Sequence, residues 1–158
     1  MKHLKIGDLA PEFSSKDQNG SVIRLSDFKG KRVVVYFYPK DNTPGCTAQA
    51  CNIRDNYDAI LDKGIVILGV SMDNEKKHQN FIAKFDLPFT LIADTEKELL
   101  HLFGVWGEKK FMGKIYDGIH RTTFVMDEDH TIDALRYGVK GVVLKDMPSH
   151  LLLQCLQK

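Results

Sequence analysis

The sequence has almost no net charge, and this absence limits the partners that the protein can have. Its 158 residues contain 22 Lys and Arg against 21 Asp and Glu, a formal charge of +1 at pH 7. A protein that binds nucleic acid or an anionic membrane through its charge needs a basic excess to attract phosphate groups. We therefore expect neither nucleic acid nor a membrane among its partners.

Long apolar runs are also missing. The chain contains no stretch of ~18 consecutive apolar residues, the length that a membrane-spanning helix needs. The amino-terminal segment MKHLKIGDLAPEF carries lysines but lacks the apolar centre of a secretory signal. A cytoplasmic location is the resulting expectation.

Cysteine is scarce, with three residues, and the chain has no internal repeat, low-complexity tract or linker. In a reducing compartment so few thiols do not indicate a disulfide framework, so each is expected to be reactive, metal-bound or buried. A zinc site is disfavoured because Cys46 and Cys51 supply only half the usual ligands and no histidine is spaced close to them. The length and the 43% of hydrophobic residues predict one domain covering 1–158.

Strand and helix patterns alternate along the chain. Residues 13–16 and 22–25 flank the turn-forming tetrapeptide DQNG and predict an amino-terminal β-hairpin. Further along, the predicted strands are 32–39, 65–72, 89–92, 121–126 and 131–137, and the predicted helices are 44–63, 74–85, 96–104 and one from about Met147. The order of elements predicts an α/β fold: a central mixed sheet flanked by helices on both faces, with an antiparallel pair at one edge.

Residues 104–118, GVWGEKKFMGKIYDG, interrupt this regular pattern. Four glycines and several lysines stand among scattered aromatic side chains. Such composition predicts a long, ordered surface loop.

The segment YPKDNTPGCTAQAC, residues 38–51, contains two of the three cysteines at the point where a strand is followed by a helix. Thr43 suits the helix N-cap, Pro44 the first helical position, and Cys46 then lies in the first turn. The unpaired N–H groups and the helix dipole at that end favour negative charge, so a thiolate at Cys46 would be stabilised. Alternatively, Cys46 is only a small buried apolar residue.

Cys51 follows Cys46 by five residues in the same predicted helix. In an ideal helix their Cα atoms are ~8.6 Å apart, beyond the ~7 Å at which a disulfide can form. If the two thiols react with each other, at least one helical turn must unwind, and the site must change between a reduced and an oxidised arrangement. Otherwise Cys51 simply packs in the core.

The pattern Pro39-x-x-x-Thr43-x-x-Cys46 resembles the active-site signature of peroxiredoxins. The second cysteine in CTAQAC and the later segment 104–127 resemble the bacterioferritin comigratory protein subgroup, and the similarity covers nearly the whole chain. This resemblance implies a thioredoxin-like fold and a monomeric thiol peroxidase that needs no cofactor. Its implied substrates are hydrogen peroxide and small organic hydroperoxides, and its implied role is antioxidant defence.

The resemblance also implies a role for each residue of the motif. Cys46 becomes the peroxidatic cysteine, oxidised to sulfenic acid, and Cys51 the resolving cysteine, which forms an intramolecular disulfide that a thioredoxin-type reductant opens. Thr43 presents its hydroxyl to the thiolate and the peroxide, and Pro39 shields the pocket from water. Arg121 contributes cationic hydrogen-bond donors.

Four other residues have no such clear role. Gln49 stands where many relatives have glutamate, so it keeps hydrogen bonding but adds no negative charge. Cys155 matches no catalytic motif and is expected in the core. Trp106 and Phe111 are expected to line the peroxide pocket, to meet a reductant, or to cap the core.

Two other functions stay open. A disulfide oxidoreductase of the thioredoxin kind would share the fold but predicts C-x-x-C, whereas this chain has C-x-x-x-x-C with a threonine three residues earlier. A non-catalytic binding module or chaperone needs a surplus apolar face, and the sequence has no obvious one. The peroxidase is therefore the leading hypothesis.

Overall fold

A computed structural model describes residues 4–137 of the chain, with side chains up to residue 135. The strands are β1 Ser14–Lys16, β2 Val22–Arg24, β3 Arg32–Phe37, β4 Ile65–Ser71, β5 Thr90–Ala93, β6 Trp106–Phe111, β7 Lys114–Ile119, β8 Thr122–Met126 and β9 Ile132–Tyr137. The helices are α1 Pro44–Asp55, α2 Tyr57–Asp62, α3 Glu75–Phe85 and α4 Glu98–Leu102, and a 3-10 helix covers Leu25–Phe28. The predicted helix from about Met147 and Cys155 lie outside the described residues.

The central sheet has the strand order β5-β4-β3-β8-β9. Strands β3, β4 and β5 run parallel, whereas β8 is antiparallel to β3 and β9 is antiparallel to β8. The amino-terminal strands β1 and β2 form their own antiparallel hairpin. The predicted mixed sheet, its antiparallel edge and the amino-terminal hairpin are thus confirmed.

Strand β3 is buried on both faces because its side chains alternate between two apolar clusters. Val33, Val35 and Phe37 belong to the cluster that α4 and the amino-terminal segment cover. Val34 and Tyr36 point to the opposite cluster, which contains apolar side chains of α1, α2 and α3. Such a strand reads as a continuous apolar run in the sequence. Cys46 is part of the second cluster, so the predicted reactive segment lies against this face of the sheet.

Gly69 of β4 leaves room for a tyrosine beside the reactive segment. In the sheet register Tyr36, Gly69 and Leu91 are neighbours on three adjacent strands. A Cβ atom at Gly69 would lie 2.8 Å from the Tyr36 hydroxyl and 2.8 Å from Leu91 Cδ2, closer than real Cβ contacts. Because Gly69 has no side chain, the Tyr36 ring can lie across β4 at this position.

The predicted single helix 44–63 is wrong in one respect, because it is interrupted at Asn56 between α1 and α2. The Asn56 side-chain amide donates to the Asn52 carbonyl oxygen at 2.8 Å, and its backbone N–H donates to the Ile53 carbonyl oxygen at 3.1 Å. The Asn56 side chain thus bonds to the Asn52 carbonyl, which would accept the backbone N–H of Asn56 if the helix continued. This competition with the backbone is typical of asparagine.

The prediction of a loop at 104–118 is also wrong, because strands β6 and β7 form an antiparallel hairpin there. Met112 and Gly113 connect the strands, with φ values of 51° and 79°. Two consecutive residues with positive φ form the tight turn whose twist matches the flanking strands. The sequence obscured this turn, since methionine rarely adopts a positive φ and the usual Asn-Gly signal is absent.

Candidate active site

Cys46 lies in the first turn of α1, as the sequence predicts. Thr43 precedes the helix as its N-cap in an extended conformation, with φ −96° and ψ 155°, and Pro44 begins the helix. Proline is favoured there because its missing N–H would have no partner in the helix, and its fixed φ suits the first turn. Cys46 is only 2% exposed, so its sulfur lies in a shielded environment near the positive end of the helix dipole.

The side chain of Arg121 contacts the sulfur of Cys46 directly. Arg121 Nη2 donates to Cys46 Sγ at 3.1 Å, while Nη1 donates to Gln49 Oε1 at 2.7 Å. Gln49 is fully buried one turn after Cys46, and it holds the other arm of the guanidinium. A cation with two aligned donors stabilises a thiolate and can stabilise charge that develops on an oxygen bound next to the sulfur.

Pairing of β3 with β8 brings these distant residues together. In the register Phe37, the last residue of β3, lies opposite Thr122, the first residue of β8. Arg121 precedes Thr122 and therefore lies at the same end of the sheet as the segment that leads from β3 into α1. The structure thus places Arg121 and Cys46 side by side, although 75 positions separate them.

Thr43 and Pro39 lie in the segment that leads from β3 into α1, and the hydroxyl of Thr43 does not make the expected cap. Its hydroxyl donates to the Lys40 carbonyl oxygen at 2.9 Å and does not cap the helix. This bond closes a turn between Pro39 and α1, so Thr43 occupies the predicted N-cap position without a side-chain cap. Pro39 is half-buried, directly after the buried Tyr38.

Cys51 lies half-buried on the same unbroken helix, and both Cys46 and Cys51 are free thiols. An intact helix keeps thiols at this spacing too far apart for a bond. The structure therefore represents the arrangement with both cysteines reduced.

Tyr36 is a neighbour of the site that sequence reasoning missed. It is 1% exposed, and its hydroxyl has no hydrogen-bond partner among the described residues. Burial, followed by the negative charge of Cys46, raises the pKa of Tyr36 well above its usual value. The phenol therefore stays neutral beside the thiol. In the sequence Tyr36 is one aromatic residue of an apolar strand, and such a pattern predicts only a core position.

A buried polar cluster lies behind the segment between β3 and α1, and this too was missed. Asp41 accepts hydrogen bonds from Tyr38 and shares one with His78, and its own N–H donates to Asp73. These residues come from separate parts of the chain, 37 positions apart for Asp41 and His78. No spacing in the sequence connects them.

Within residues 4–137 no three or more His, Cys, Asp or Glu side chains are arranged to hold a metal ion. The helices in that part of the chain are also too short or too polar to cross a membrane.

Comparison with known proteins gives consistent results. The profile of the AhpC/TSA family matches residues 6–135. The chain is 53% identical over 133 residues to peroxiredoxin Bcp of Escherichia coli, covering 84% of this chain and 85% of that protein. It is 47% identical over 126 residues to peroxiredoxin Bcp of Bacillus subtilis, covering 80% of each.

Two solved structures are similar over most of the chain. The bacterioferritin comigratory protein of Xanthomonas campestris, described for its alkyl peroxide reduction activity, is 34% identical with a TM-score of 0.77. The match covers 82% of this chain and 83% of that one. A cysteine-to-serine variant of PrxQ from Xylella fastidiosa is 31% identical with a TM-score of 0.82, covering 96% of this chain and 92% of that one.

Proposed function

Because the chain belongs to the AhpC/TSA family and is a peroxiredoxin of the Bcp group with a thioredoxin-like fold, we propose a defined reaction cycle for this thiol peroxidase. It reduces hydrogen peroxide and organic hydroperoxides through Cys46. Cys51 then resolves the oxidised sulfur, and a thioredoxin-type reductant recycles the enzyme in antioxidant defence. The observation that carries the proposal is the 3.1 Å contact between Arg121 Nη2 and Cys46 Sγ at the start of α1.

The first step is nucleophilic attack by the Cys46 thiolate on one peroxide oxygen. A sulfur–oxygen bond forms, the oxygen–oxygen bond breaks, and the second oxygen leaves and takes up a proton from solvent to become water or an alcohol. Cys46 becomes a sulfenic acid. The guanidinium of Arg121 supports this step in two ways, because it favours the thiolate before attack and its donors can stabilise negative charge on the leaving oxygen.

In the second step the Cys51 thiol attacks the sulfenic sulfur, and water leaves as the Cys46–Cys51 disulfide forms. The intact α1 prevents this approach, so at least its first turn must unwind. A dithiol reductant then attacks the disulfide, leaves with its own two sulfurs oxidised, and returns both cysteines to thiols. The half-buried position of Cys51 in the same chain supports an intramolecular bond.

Thr43 and Pro39 complete the proposed site. The Thr43 hydroxyl donates its hydrogen to the Lys40 carbonyl, so its lone pairs are left to accept a hydrogen bond from a peroxide O–H group. Pro39 has no N–H group to attract water, and its ring shields the approach to Cys46. Both residues would orient the peroxide rather than react with it.

We further propose that the enzyme works as a cytoplasmic monomer whose single domain covers 1–158. The monomer is supported by the position of both proposed reacting thiols in one chain. The cytoplasmic location is supported by the low number of cysteines, which is three, and by the small net charge. No metal or cofactor takes part in the proposed cycle.

The test uses three single variants and one equivalent of peroxide, with mass spectrometry of the products. Cys46→Ser should abolish peroxide consumption, because it removes the nucleophile. Cys51→Ser should complete one rapid oxidation but fail to turn over with thioredoxin, and Cys155→Ser should behave like the wild type. Full multiple turnover of Cys51→Ser with thioredoxin would contradict its role as the resolving cysteine.

A further inference from the structure

The buried polar cluster at the segment between β3 and α1 is connected by a series of hydrogen bonds around Asp41. The Tyr38 hydroxyl donates to Asp41 Oδ1 at 2.5 Å, and His78 Nδ1 lies 2.6 Å from Asp41 Oδ2. The other ring nitrogen of His78, Nε2, lies 2.9 Å from the carbonyl oxygen of Ile92. The Asp41 backbone N–H donates to Asp73 Oδ2 at 2.8 Å. Asp41 is therefore held by Tyr38, by Asp73 in the loop between β4 and α3, and by His78 of α3, whose ring is in turn bonded to β5.

The protons of this cluster follow from its donors and acceptors. The Ile92 carbonyl can only accept, so Nε2 of His78 carries a hydrogen. Nδ1 faces a carboxylate oxygen, and that contact also needs a proton, held either by the ring or by Asp41. Burial raises the pKa of Tyr38, so its hydroxyl remains a donor. Both ring nitrogens of His78 and both carboxylate oxygens of Asp41 thus have a hydrogen-bond partner.

Asp73 at the edge of the cluster is itself held in place. It accepts a hydrogen bond from Ser71 Oγ at 2.9 Å, and Lys77 Nζ lies 3.8 Å from its second oxygen. Ser71 is fully buried and Asp73 is 7% exposed. The anchor for the Asp41 backbone is therefore a buried residue just after β4, bonded to the last residue of that strand.

This anchored residue lies in the middle of the segment that shapes the proposed peroxide site. Asp41 follows Pro39 by two positions and precedes Thr43 by two and Cys46 by five. The next residue, Asn42, is exposed and has a positive φ of 60°, which is strained for most residues. The buried anchor at Asp41 is thus followed directly by an exposed residue at which the chain turns towards Thr43 and α1.

We propose that Asp41 and His78 are positioning residues for the peroxidatic site. They hold residues 39–41 against the sheet, so that Pro39 and Thr43 take up the geometry that the peroxide step needs. They also limit the rearrangement that forms the disulfide to the part of the chain after Asp41. This inference rests on the proposed reaction cycle. In the described contacts neither Asp41 nor His78 touches the sulfur of Cys46 or Cys51, so the pair would act through the segment that it holds.

The two steps of the cycle should respond differently to loss of the anchor. Oxidation of Cys46 depends on a precise arrangement of Thr43, Pro39 and the sulfur, and small misplacements of a reacting group are costly. Formation of the disulfide takes place in an unwound segment and does not need that arrangement. A loosened anchor should therefore slow the first step and leave the second unchanged or faster.

The experiment compares His78→Leu, His78→Asn and Asp41→Asn with the wild type. The rate of Cys46 oxidation is measured in a Cys51→Ser background, and the rate of disulfide formation is measured with both cysteines present. We expect Cys46 oxidation to slow about tenfold in His78→Leu and in Asp41→Asn, with disulfide formation not slowed. His78→Asn keeps a side-chain nitrogen near Asp41, so it should recover part of the loss.

Two controls separate positioning from general stability. Leu99→Ala removes a buried side chain in the cluster on the opposite face of the sheet, so it destabilises the fold without touching the anchor. Lys76→Ala changes an exposed residue of α3. Urea unfolding shows that each variant is folded under the assay conditions. Both controls should keep the wild-type ratio of the two rates.

The outcomes distinguish this inference from the proposed function. If wild-type Cys46 is not oxidised by one equivalent of peroxide, the proposed function fails. If the wild type reacts and all three anchor variants keep its ratio of rates, only the positioning role is overturned. A ratio shifted equally in Leu99→Ala would also overturn it, because the effect would then follow stability.

Discussion

At the scale of single residues, one guanidinium group contacts the sulfur of Cys46. Arg121 uses two nitrogens of its planar group for two different acceptors, Cys46 Sγ and Gln49 Oε1. Lysine carries the same charge but presents it as a point on a flexible chain, so it cannot reproduce this fork. Gln49 thus works through Arg121, because a neutral amide orients the guanidinium without competing with the thiolate for its charge.

We predict that Arg121→Lys slows the oxidation of Cys46 by hydrogen peroxide about 10- to 100-fold, because one fixed donor near the reacting oxygens is lost. Rapid-mixing kinetics measures this rate. Arg54→Lys is the matched control, since Arg54 lies in the last turn of the same helix. Equal rates in Arg121→Lys and the wild type would contradict the prediction.

At the scale of elements, polar side chains decide where the short helices begin and end. Asn56 interrupts one predicted helix, and Asp94 fixes the start of α4. The two Asp94 oxygens accept hydrogen bonds from the backbone N–H groups of Leu99 and Leu100, at 3.2 Å and 2.9 Å. Burial raises the pKa of Asp94 above its ordinary value, although these N–H groups oppose the shift. The charged carboxylate is thus held in an unfavourable environment.

This pKa shift predicts a pH dependence of stability. Because the folded state binds the Asp94 proton more tightly than the unfolded state, the contribution of this group is complete below the unfolded pKa of about 3.9 and is lost as the pH rises through the higher folded pKa. The stability of the wild type relative to Asp94→Asn should therefore fall as the pH rises from about 4 towards neutrality. Urea unfolding of both proteins measures this difference. Asp117→Asn, at an exposed position of β7, controls for loss of a negative charge. A wild type whose stability rises with pH relative to Asp94→Asn would contradict the prediction.

At the scale of the whole molecule, the sheet holds the site while one helix has to change. Pairing of β3 with β8 brings Arg121 to the site, and the Asp41 anchor lies in the segments that follow β3 and β4. Helix α1 carries both thiols and keeps them apart as long as it is intact. The proposed cycle therefore needs a local rearrangement of one element on a rigid support, with at least one helical turn opened in the oxidised protein.

We predict that oxidation by one equivalent of peroxide lowers the helical circular dichroism signal by an amount that corresponds to about one or two turns. Reduction with a dithiol should restore the signal, because α1 can then refold. Cys51→Ser is the control, since it reacts with peroxide but forms no intramolecular bond. An unchanged signal in protein whose Cys46–Cys51 disulfide is verified by mass spectrometry would contradict the unwinding.

The sequence alone determined those features that depend on neighbouring residues. Apolar runs and helical spacing predicted the central sheet, its flanking helices and the amino-terminal hairpin, because periodicity reflects which faces are buried. Thr43, Pro44 and Cys46 were located correctly at the helix start because N-terminal preferences act within one turn. The β6–β7 hairpin was missed, since its turn has no usual signal and its strands are rich in glycine and lysine.

Only the tertiary structure decided which distant side chains meet. Arg121 reaches Cys46 because β3 pairs with β8, and Asp41 reaches His78 because α3 packs beside the end of β3. These contacts join residues 75 and 37 positions apart, so no local pattern records them. Local preferences set the helix start that favours a thiolate. Strand pairing supplied the cation of Arg121 beside it. Packing supplied the buried pair of Asp41 and His78 that we propose holds the preceding segment in position.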